Sequence, residues 1–413
     1  MPAEARPGGR GRARLAELAA GAGLLGAVLL SALIIAGGFA RRGAVPGGAP
    51  PDAPPGAPPE GPSPARPISR AEAERAGLAP RKAAWWQALG SGAVRCELCP
   101  RLCTLWPGQR GYCRARSNFD GELYTLVYGS PVSANSADPI EKKPLFHVLP
   151  GTRVTSIATA GCDLGCIFCQ NWEISQAYPE ETPHGRLTPE QVVAAAREAG
   201  STAVAYTYTE PTIFYEYMLD TAKLARRAGL RNLWITCGSI EEKPLVELAA
   251  VLDAANVDLK GFTDEFYRKY CDAERAPVMR TIKRLKALGV HVEITNLVIP
   301  GANDDEPSVR AMCRWLAAEV GADVPLHFSR YHPDFKMTEP PTPADTLYRA
   351  REIARKKMHY VYVGNLWGGE GEDTFCRNCG KVVVHRKGFA VSEVRVTGGH
   401  CDFCGNGVPI VGT

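Results

Sequence analysis

The chain has 413 residues, which is enough for one full α/β domain with smaller modules beside it, at about 100 to 200 residues per domain. Hydrophobic residues make up 45% of the chain and charged residues 22%, which is ordinary for a globular protein. The net charge is only +4, and no dense cluster of Lys and Arg is interleaved with aromatic residues. The composition therefore gives no electrostatic reason to expect nucleic acid as a partner.

The N-terminal segment, residues 1–42, predicts a membrane anchor. Residues 1–17 are basic, and no charged residue occurs from Leu18 to Ala40. A helix needs about 20 apolar residues to span a bilayer, so this segment is long enough. A cleaved signal peptide is the alternative, because Gly38-Phe39-Ala40 offers a small-x-small cleavage site. We prefer the anchor because the apolar run is long for a signal peptide.

Residues 43–93 predict a linker with a short helical lead-in to the folded part. Pro, Gly and Ala dominate this segment as far as Pro67. Such a composition cannot bury a core, and it is typical of an extended, semi-rigid spacer. The linker therefore separates the anchor from the folded modules.

Residues 94–152 predict a cysteine-rich N-terminal module. Tight cysteine pairs in a chain with long predicted helices indicate metal binding in a reducing compartment, because disulfide frameworks are usual in small secreted domains. Four thiolates could hold zinc or a [4Fe-4S] cluster, and the softness of sulfur does not separate the two. A third possibility is that some of these cysteines bind nothing. The four residues, with C-x2-C-x3-C-x9-C spacing, are Cys96, Cys99, Cys103 and Cys113.

Three further cysteines, Cys162, Cys166 and Cys169, follow the first predicted strand of the next region with C-x3-C-x2-C spacing. A [4Fe-4S] cluster normally has four cysteine ligands, so three closely spaced ligands leave one iron free to bind a second molecule. The same spacing could be one buried face of a helix. Gly161 and Gly165 argue against a helix, because each costs about 1 kcal/mol there relative to alanine. The segment is therefore predicted to be a loop.

From residue 153 to residue 367, short apolar runs alternate with amphipathic segments. This alternation predicts an α/β fold, with a parallel sheet and outer helices in a partial (β/α) TIM-like barrel. Crossovers of this kind place ligand-bearing loops at the carboxyl ends of the strands, where the three cysteines also lie. The predicted strands are Val154 to Thr159, Ala203 to Tyr208, Asn232 to Thr236, Val257 to Leu259, His291 to Val298, Pro325 to Phe328 and Tyr360 to Val363.

Residues 368–413 predict a C-terminal zinc ribbon. Two C-x2-C-G knuckles are separated by 21 residues, and Lys381 to His385 could pair with Val394 to Thr397 as a hairpin between them. A closed site of four thiolates would stabilise a module that is too small for a large core. A rubredoxin-type iron site is the alternative, because the ligand set suits either metal. The four ligands are Cys376, Cys379, Cys401 and Cys404.

The three-cysteine motif, with Phe168 just before its last cysteine, resembles the radical S-adenosylmethionine (SAM) superfamily. The strings Asp138 to His147 and Phe168 to Trp172 are similar to those of the radical SAM family of the AmmeMemoRadiSam system, a relative of the pyruvate formate-lyase activating enzymes. The resemblance covers about residues 94–412. It implies a radical SAM barrel with a [4Fe-4S] cluster and SAM, and it favours metal of some kind in the N-terminal module.

The resemblance also implies a set of SAM contacts at the carboxyl ends of successive strands. Glu210 stands where related enzymes have a Gly-Gly-Glu-Pro element that contacts the methionyl amino group, although both glycines are replaced here. Cys237 replaces the asparagine of the family's Thr-Asn-Gly turn. Without the resemblance, Glu-Pro would be an ordinary strand exit, and Asp258 with Lys260 a solvated charge pair. The implied cofactor-binding residues are Phe168, Thr209, Glu210, Thr236, Asp258, Lys260 and Asn296.

The kinship with activating enzymes implies a protein or peptide substrate, and the family name implies Memo-type and AMMECR-type partner proteins. Arg330, His327 and His332 are the candidates for facing the substrate. More arginines precede the predicted anchor than follow it, which would export the remainder of the chain. An oxygen-sensitive cluster that needs an electron donor favours a cytoplasmic catalytic domain instead. The alternative function is a membrane-tethered iron-sulfur and zinc protein that carries electrons or scaffolds a complex without SAM turnover.

Overall fold

The computed structural model describes residues 65–413. The predicted anchor from Leu18 to Ala40 and most of the Pro-rich linker lie outside the described residues. Within residues 65–413, no helix is both long enough and apolar enough to cross a membrane.

The N-terminal module consists of two small antiparallel sheets behind a short helix. Ser69 and Glu72 form a capping box that begins this helix, since each side chain accepts from the other's backbone N–H. The sheet orders are β1-β6-β5 and β2-β3-β4. The elements are α1 (Arg70–Arg75), β1 (Arg81–Lys82), β2 (Trp86–Ala88), β3 (Val94–Cys96), β4 (Thr104–Leu105), β5 (Arg116–Phe119) and β6 (Glu122–Thr125).

The central domain is an open eight-stranded sheet in which β8 to β14 are parallel and follow one another in chain order. The parallel strands are buried along most of their length, and Ala203–Tyr206 along all of it, as expected when helices cover both faces of a parallel sheet. The strands are β7 (Ser133–Pro139), β8 (Arg153–Ala158), β9 (Ala203–Tyr206), β10 (Arg231–Thr236), β11 (Ala254–Asp258), β12 (His291–Val298), β13 (Leu326–Arg330) and β14 (Val361–Gly364).

The helices that connect these strands begin with sequence signals that the structure uses. Thr188 and Gln191 form a capping box, with Pro189 at the first helical position. The helices are α2 (Trp172–Ser175), α3 (Pro189–Glu198), α4 (Tyr215–Arg227), α5 (Glu242–Ala249), α6 (Asp264–Phe266), α7 (Arg275–Ala287), α8 (Glu306–Leu316) and α9 (Ala344–Arg355). Short helical turns are Gly90–Gly92, Ile140–Lys142, Pro179–Glu181, Pro211–Phe214, Tyr267–Cys271 and Ala317–Gly321.

All seven strands predicted for the central domain are present, and β12 has the predicted bounds. The largest shift is at β11, which begins at Ala254, three residues before the predicted start at Val257. Strand β7 falls in the range predicted for the N-terminal module, but it pairs antiparallel with β8. Its sequence is polar and half exposed, because it is an edge strand, so it carries no apolar pattern that would predict it.

The N-terminal module shares its core with the central domain. A single cluster of buried apolar side chains includes Leu98 and Leu105 of the module, Leu164 of the three-cysteine segment and Leu259 after β11. Because these residues pack in one core, the module is fixed against the carboxyl edge of the sheet.

The C-terminal module has a small core of its own, built from Val and Cys side chains and Ile410. Its elements are β15 (Thr374–Phe375), β16 (Val382–Lys387), β17 (Ala390–Val394), β18 (Val396–Thr397) and β19 (His400–Cys401). The predicted hairpin is right only in part, since Val394 pairs with Val384 but β18 pairs with β19. Gly398 and Gly399, with φ of 57° and 78°, form the tight turn that joins β18 to β19.

The C-terminal module packs on the amino edge of the central sheet. The backbone of Val411 exchanges hydrogen bonds with His147 and Leu149, each 2.9 Å long. The backbone N–H groups of Phe146 and His147 in turn donate to the carboxylate of Glu293, at 3.0 and 2.7 Å. Glu293 is the third residue of β12, so this contact lies at the edge opposite the carboxyl ends of the strands.

Candidate functional site

The three-cysteine loop, defined here as Gly161 to Asn171, leaves the carboxyl end of β8 and contains no regular helix. This confirms the predicted loop. Cys162 and Cys166 are buried, whereas Cys169 is partly exposed. Burial raises the pKa of the Cys162 thiol well above its usual value, so metal binding must displace its proton.

Backbone hydrogen bonds hold the loop on two sides. Gly161 donates to the carbonyl of Ile174 at 2.9 Å, and Gly165 donates to that of Cys271 at 2.8 Å. The thiol of Cys169 lies 3.2 Å from the hydroxyl of Ser175. Because both ends of the loop are tied to neighbouring segments, the three thiols are positioned before any ligand binds.

Two cysteines that stand alone in the sequence join this site. Cys271 is fully buried, and its hydrogen bond with the Cys166 thiol raises the pKa of Cys166 well above the usual value. Burial raises the pKa of Cys237 as well, and Lys260 and Glu210 are its charged neighbours. Sequence reasoning missed Cys271, because no spacing pattern connects it to the three-cysteine motif. Cys237 was already expected at this edge from the resemblance of its turn to the family's Thr-Asn-Gly element.

Glu210 and Thr236, two of the implied SAM contacts, are brought together by the structure. The Thr236 hydroxyl donates to Glu210 Oε1 at 2.7 Å, and the Cys237 N–H donates to Oε2 at 2.6 Å. Thr212 N–H also donates to Oε1, at 3.0 Å. Burial, together with the nearby charge of Asp163, raises the pKa of Glu210 to about 7. The carboxylate therefore ties β9 to β10, and its contact with SAM stays a prediction.

Asp258 and Lys260 form an ion pair at the end of β11, with Lys260 Nζ 2.8 Å from Asp258 Oδ2. The ammonium lies 5.9 Å from the centre of the Phe168 ring, which is itself buried. Burial opposes the charge on Lys260, but the negative charge of Asp258 raises its pKa above the usual value. The structure thus places two implied contacts, Phe168 and Asp258, around the mostly buried ammonium of a third, Lys260, beside the cysteines.

The remaining two implied contacts, Thr209 and Asn296, are buried at the same edge. The Thr209 hydroxyl donates to the carbonyl of Thr159 at 3.0 Å. Asn296 Nδ2 donates to the carbonyl of Leu259 at 2.8 Å, whereas its Oδ1 has no partner within residues 65–413. A buried acceptor without a partner is costly, so it fits a ligand that carries a hydrogen-bond donor.

These observations test whether the residues fit a cluster and SAM. The loop offers three thiols, two of them buried, to a [4Fe-4S] cluster with one open iron. The same edge offers the Asp258–Lys260 pair, and Asn296 Oδ1 as an acceptor without a partner. The donor set therefore fits both groups.

The N-terminal four-cysteine site, formed by Cys96, Cys99, Cys103 and Cys113, adjoins the three-cysteine loop. All four residues line one cavity, which is also lined by Arg116 and Asp163. Cys96 ends β3 and Cys103 precedes β4, so the β3–β4 hairpin brings the first three cysteines together.

Asp163 and Arg101 are functional candidates that sequence reasoning missed. Asp163 is buried between the two cysteine sites, where Ser239 Oγ donates to its Oδ2 at 2.5 Å. Arg101 Nε donates to the Asp163 carbonyl at 2.9 Å. Asp163 directly follows Cys162, and this proximity to a ligand was the one signal in the sequence.

The C-terminal four-cysteine site, formed by Cys376, Cys379, Cys401 and Cys404, has its ligand atoms within 4.8 Å of one another. Cys376 Sγ is 3.6 Å from Cys404 Sγ, and Cys379 Sγ is 3.9 Å from Cys401 Sγ. The structure therefore confirms the predicted cysteine cluster as a group that could bind a metal.

The residues expected to face a substrate are placed differently. His327 Nε2 lies 2.7 Å from Glu293 Oε2 in the buried network at the amino edge, so His327 does not face the cysteine loop. Arg330 Nε donates to the carbonyl of Thr342 at 2.9 Å, and His332 is exposed. His327 fails as a substrate contact because its position early in β13 directs it to the amino edge.

Comparison with known proteins agrees with this geometry. The model of the Radical SAM superfamily matches residues 156–311, which include the three-cysteine loop. An uncharacterized protein of Methanocaldococcus jannaschii is 45% identical over 335 residues, which cover 80% of this chain and 99% of that protein. The chain belongs to the radical SAM superfamily. It is an enzyme of this class, with the [4Fe-4S] cluster and SAM that the class implies.

Activating enzymes are among its relatives. The pyruvate formate-lyase 1-activating enzyme of Escherichia coli K12 is 24% identical over 168 residues, which cover 40% of this chain and 68% of that enzyme. A solved domain of the pyruvate-formate lyase-activating enzyme of Bacteroides vulgatus is 19% identical, with a TM-score of 0.36, over 40% of this chain and 100% of that domain. The radical SAM enzyme described here is thus related to activating enzymes.

Proposed function

We propose that this radical SAM enzyme reductively cleaves SAM and uses the resulting 5′-deoxyadenosyl radical to abstract hydrogen from a protein or peptide. The observation that carries the proposal is the three-cysteine loop at the carboxyl edge, beside the Asp258–Lys260 pair. When bound, the cluster and SAM supply the one-electron chemistry of the reaction. We take the seven parallel strands as the partial (β/α) barrel that such enzymes use.

The chain's own residues would bind, orient and shield these groups. Cys162, Cys166 and Cys169 would hold the cluster through three of its irons. Asn296 Oδ1, buried without a partner among the described residues, would accept from SAM. Glu210 has a pKa of about 7, so this buried carboxyl can hold or release a proton near neutral pH as the bound ligand requires.

The decisive experiment is anaerobic. The reconstituted protein, given SAM and dithionite, should release 5′-deoxyadenosine, and Cys166→Ala should release none. Cys313→Ala is the matched control, since Cys313 is a buried cysteine of α8 that belongs to none of the three cysteine groups. If wild-type protein with a reduced cluster and bound SAM released no 5′-deoxyadenosine, the electron-carrier alternative would replace the proposal of SAM cleavage.

The substrate class and partners are a further part of the proposal. Its support is the similarity to activating enzymes and the string Asp138 to His147, which resembles the AmmeMemoRadiSam family. Memo-type and AMMECR-type proteins are therefore the first substrates or partners to test. Mass spectrometry should reveal a modification of one of them, or a hydrogen transferred to 5′-deoxyadenosine, after turnover with SAM. The transfer can be followed with deuterated partner proteins. If 5′-deoxyadenosine took up no deuterium from them, these proteins would be removed from consideration.

We propose zinc for the C-terminal four-cysteine site and a structural role for it. The support is the tight grouping of four thiols within 4.8 Å and the small size of the core around them. Metal analysis should find zinc that survives oxygen and dithionite. Iron in this site would favour the rubredoxin-type alternative.

We propose that residues 1–42 anchor the enzyme in a membrane, with the catalytic domain in the cytoplasm. The support is the uncharged run from Leu18 to Ala40 and the oxygen sensitivity of the cluster. A reporter enzyme that works only in the cytoplasm should be active when it is fused after Thr413. Activity of an exported reporter instead would reverse the proposed topology.

A further inference from the structure

The two four-cysteine sites differ in the spacing of their thiols. A zinc ion holds four thiolates at about 2.3 Å, which places the sulfur atoms about 3.8 Å apart. The C-terminal distances of 3.6 Å between Cys376 and Cys404 and 3.9 Å between Cys379 and Cys401 match this value. The C-terminal four-cysteine site therefore has the size of a single ion.

The N-terminal four-cysteine site has the same ligands at a larger spacing. Over residues 65–413, the groups of metal-ligating atoms that gather within 4.8 Å include no three of its thiols. The four residues instead surround a cavity that they line together. A [4Fe-4S] cube binds one thiolate at each of four irons, so it spreads its ligands over a much larger tetrahedron than one zinc ion does. Thiols around a shared cavity fit the cluster better than a single zinc ion.

A buried cation supplies a second observation. Arg116 lines the same cavity, is 2% exposed, and donates from Nη1 to Glu216 Oε1 at 3.0 Å. Its Nε has no partner within the described part of the chain. A buried N–H without an acceptor is costly, and hydrogen bonds to sulfur are a normal part of iron-sulfur sites. Its charge is paired with Glu216, and its free Nε–H is suited to donate to a sulfur atom of a cluster.

The cavity adjoins the three-cysteine loop. Asp163, which lines the cavity, directly follows Cys162. A Cβ atom at Gly161 would lie 2.3 Å from the carbonyl oxygen of Cys113, so the two backbones are in direct contact at a residue with φ of +100°. Only a glycine permits this approach. The two cysteine sites are thus joined by the Gly161–Cys113 backbone contact and by Asp163, which lines the cavity of one and directly follows a cysteine of the other.

We propose that Cys96, Cys99, Cys103 and Cys113 bind a second [4Fe-4S] cluster that passes electrons to the cluster of the three-cysteine loop. All four irons of this cluster have protein ligands, so it has no open position for SAM. In each transfer, the reduced cluster is oxidised from the +1 to the +2 state and the SAM-site cluster is reduced from +2 to +1. A low-potential one-electron donor such as a flavodoxin, a ferredoxin or dithionite then restores the second cluster.

The first test is the metal content of the full-length protein, reconstituted and purified without oxygen. Wild-type protein should contain about eight iron and about eight sulfide per chain, with about one zinc. Replacing Cys96, Cys99 and Cys103 together with alanine should leave about four iron, as should replacing Cys162, Cys166 and Cys169 together. Cys313→Ala should leave about eight.

The metal content of the wild-type protein tests the proposal even if a variant does not fold. About four iron and about two zinc in the wild-type protein would overturn the proposal, whatever the variants do. The electron-transfer part rests on the proposed function, but the metal count does not. Retention of about four iron by the variant without Cys162, Cys166 and Cys169 would support the second cluster even if SAM cleavage were never observed.

The second test is the electron paramagnetic resonance spectrum of fully reduced protein. Two adjacent reduced clusters should broaden and split each other's signals, and each triple variant should show one unsplit signal. A wild-type spectrum equal to the sum of the two variant spectra would overturn the proposed proximity.

The third test is a stopped-flow measurement of cluster reduction by flavodoxin. Loss of Cys96, Cys99 and Cys103 should slow reduction of the SAM-site cluster at least about tenfold, whereas an unchanged rate would overturn the relay.

Discussion

The N-terminal and C-terminal four-cysteine sites have the same ligands and opposite positions. The N-terminal site lies at the carboxyl edge of the sheet, beside the three-cysteine loop, and shares the main core. The C-terminal site has its own small core and packs at the amino edge through the backbone of Val411. The carboxyl edge is where α/β proteins place their chemistry, so position indicates a role in the reaction for one site and a structural role for the other.

Thiol spacing makes the same distinction. The C-terminal sulfur atoms are gathered at the distances of a single ion, whereas the N-terminal ones surround a cavity. The difference teaches that a set of four cysteines does not by itself specify a metal. The spacing that the surrounding fold gives the four thiols distinguishes the two sites.

The largest expected effect is on the C-terminal module itself. Cys401→Ala should remove zinc and about 10 kcal/mol of the free energy that holds residues 374–413 folded, as for other small zinc modules. Hydrogen exchange and limited proteolysis should show local unfolding, with the iron content unchanged. His400→Ala is the control, because His400 is exposed and should leave zinc bound. Loss of iron in Cys401→Ala would contradict the independence of the two sites.

A second prediction concerns the contact between Cys113 and Gly161. Gly161→Ala should lower the free energy of unfolding by about 4 kcal/mol, because a left-handed backbone strains alanine and its Cβ would overlap a carbonyl oxygen. Gly380→Ala, in the C-terminal knuckle, should cost only about 1 kcal/mol, since φ is +72° but its Cβ would meet nothing within 4 Å. Urea unfolding of both variants measures the difference. Equal effects would mean that the N-terminal module does not depend on this contact.

A third prediction compares one ion pair from each region. Arg116→Met should lower the free energy of unfolding by about 3 kcal/mol, because Glu216 stays buried without its partner. Arg395→Met, which breaks an exposed pair with Glu393, should change it by less than about 0.5 kcal/mol. Both values come from chemical denaturation at neutral pH. A small effect of Arg116→Met would mean that Glu216 finds another partner or water.

The smallest effect is a pH dependence at the contact of the C-terminal module. Burial lowers the pKa of His147 to about 3, although the charge of Glu293 opposes the shift. The unfolded chain therefore binds a proton that the folded chain does not, and stability falls as pH drops below 6.5, the ordinary value for histidine. Between pH 6.5 and about 5.5 the loss should be about 1 kcal/mol relative to His147→Gln. Parallel curves for the two proteins would show that His147 is not buried as a neutral residue.

Much of the fold was predictable because its signals are local. The seven parallel strands are short apolar runs separated by helices, and each cysteine group contains cysteines only a few residues apart. Strand β7 and the β18–β19 pair were not predicted. The first is a polar edge strand. The second depends on whether Val396 and Thr397 pair with His400 and Cys401 or with the predicted partner segment, Lys381 to His385.

The sequence by itself determined the superfamily, the three-cysteine loop and the strand edge on which it lies, because adjacent residues supply these features. Only the tertiary structure brought Cys271 to Cys166, and Asp163 between the two cysteine sites. It also brought Thr236 and Cys237 within hydrogen-bond distance of the Glu210 carboxylate. Contacts between segments far apart in the chain depend on how the sheet, loops and modules pack, and no local pattern records that packing.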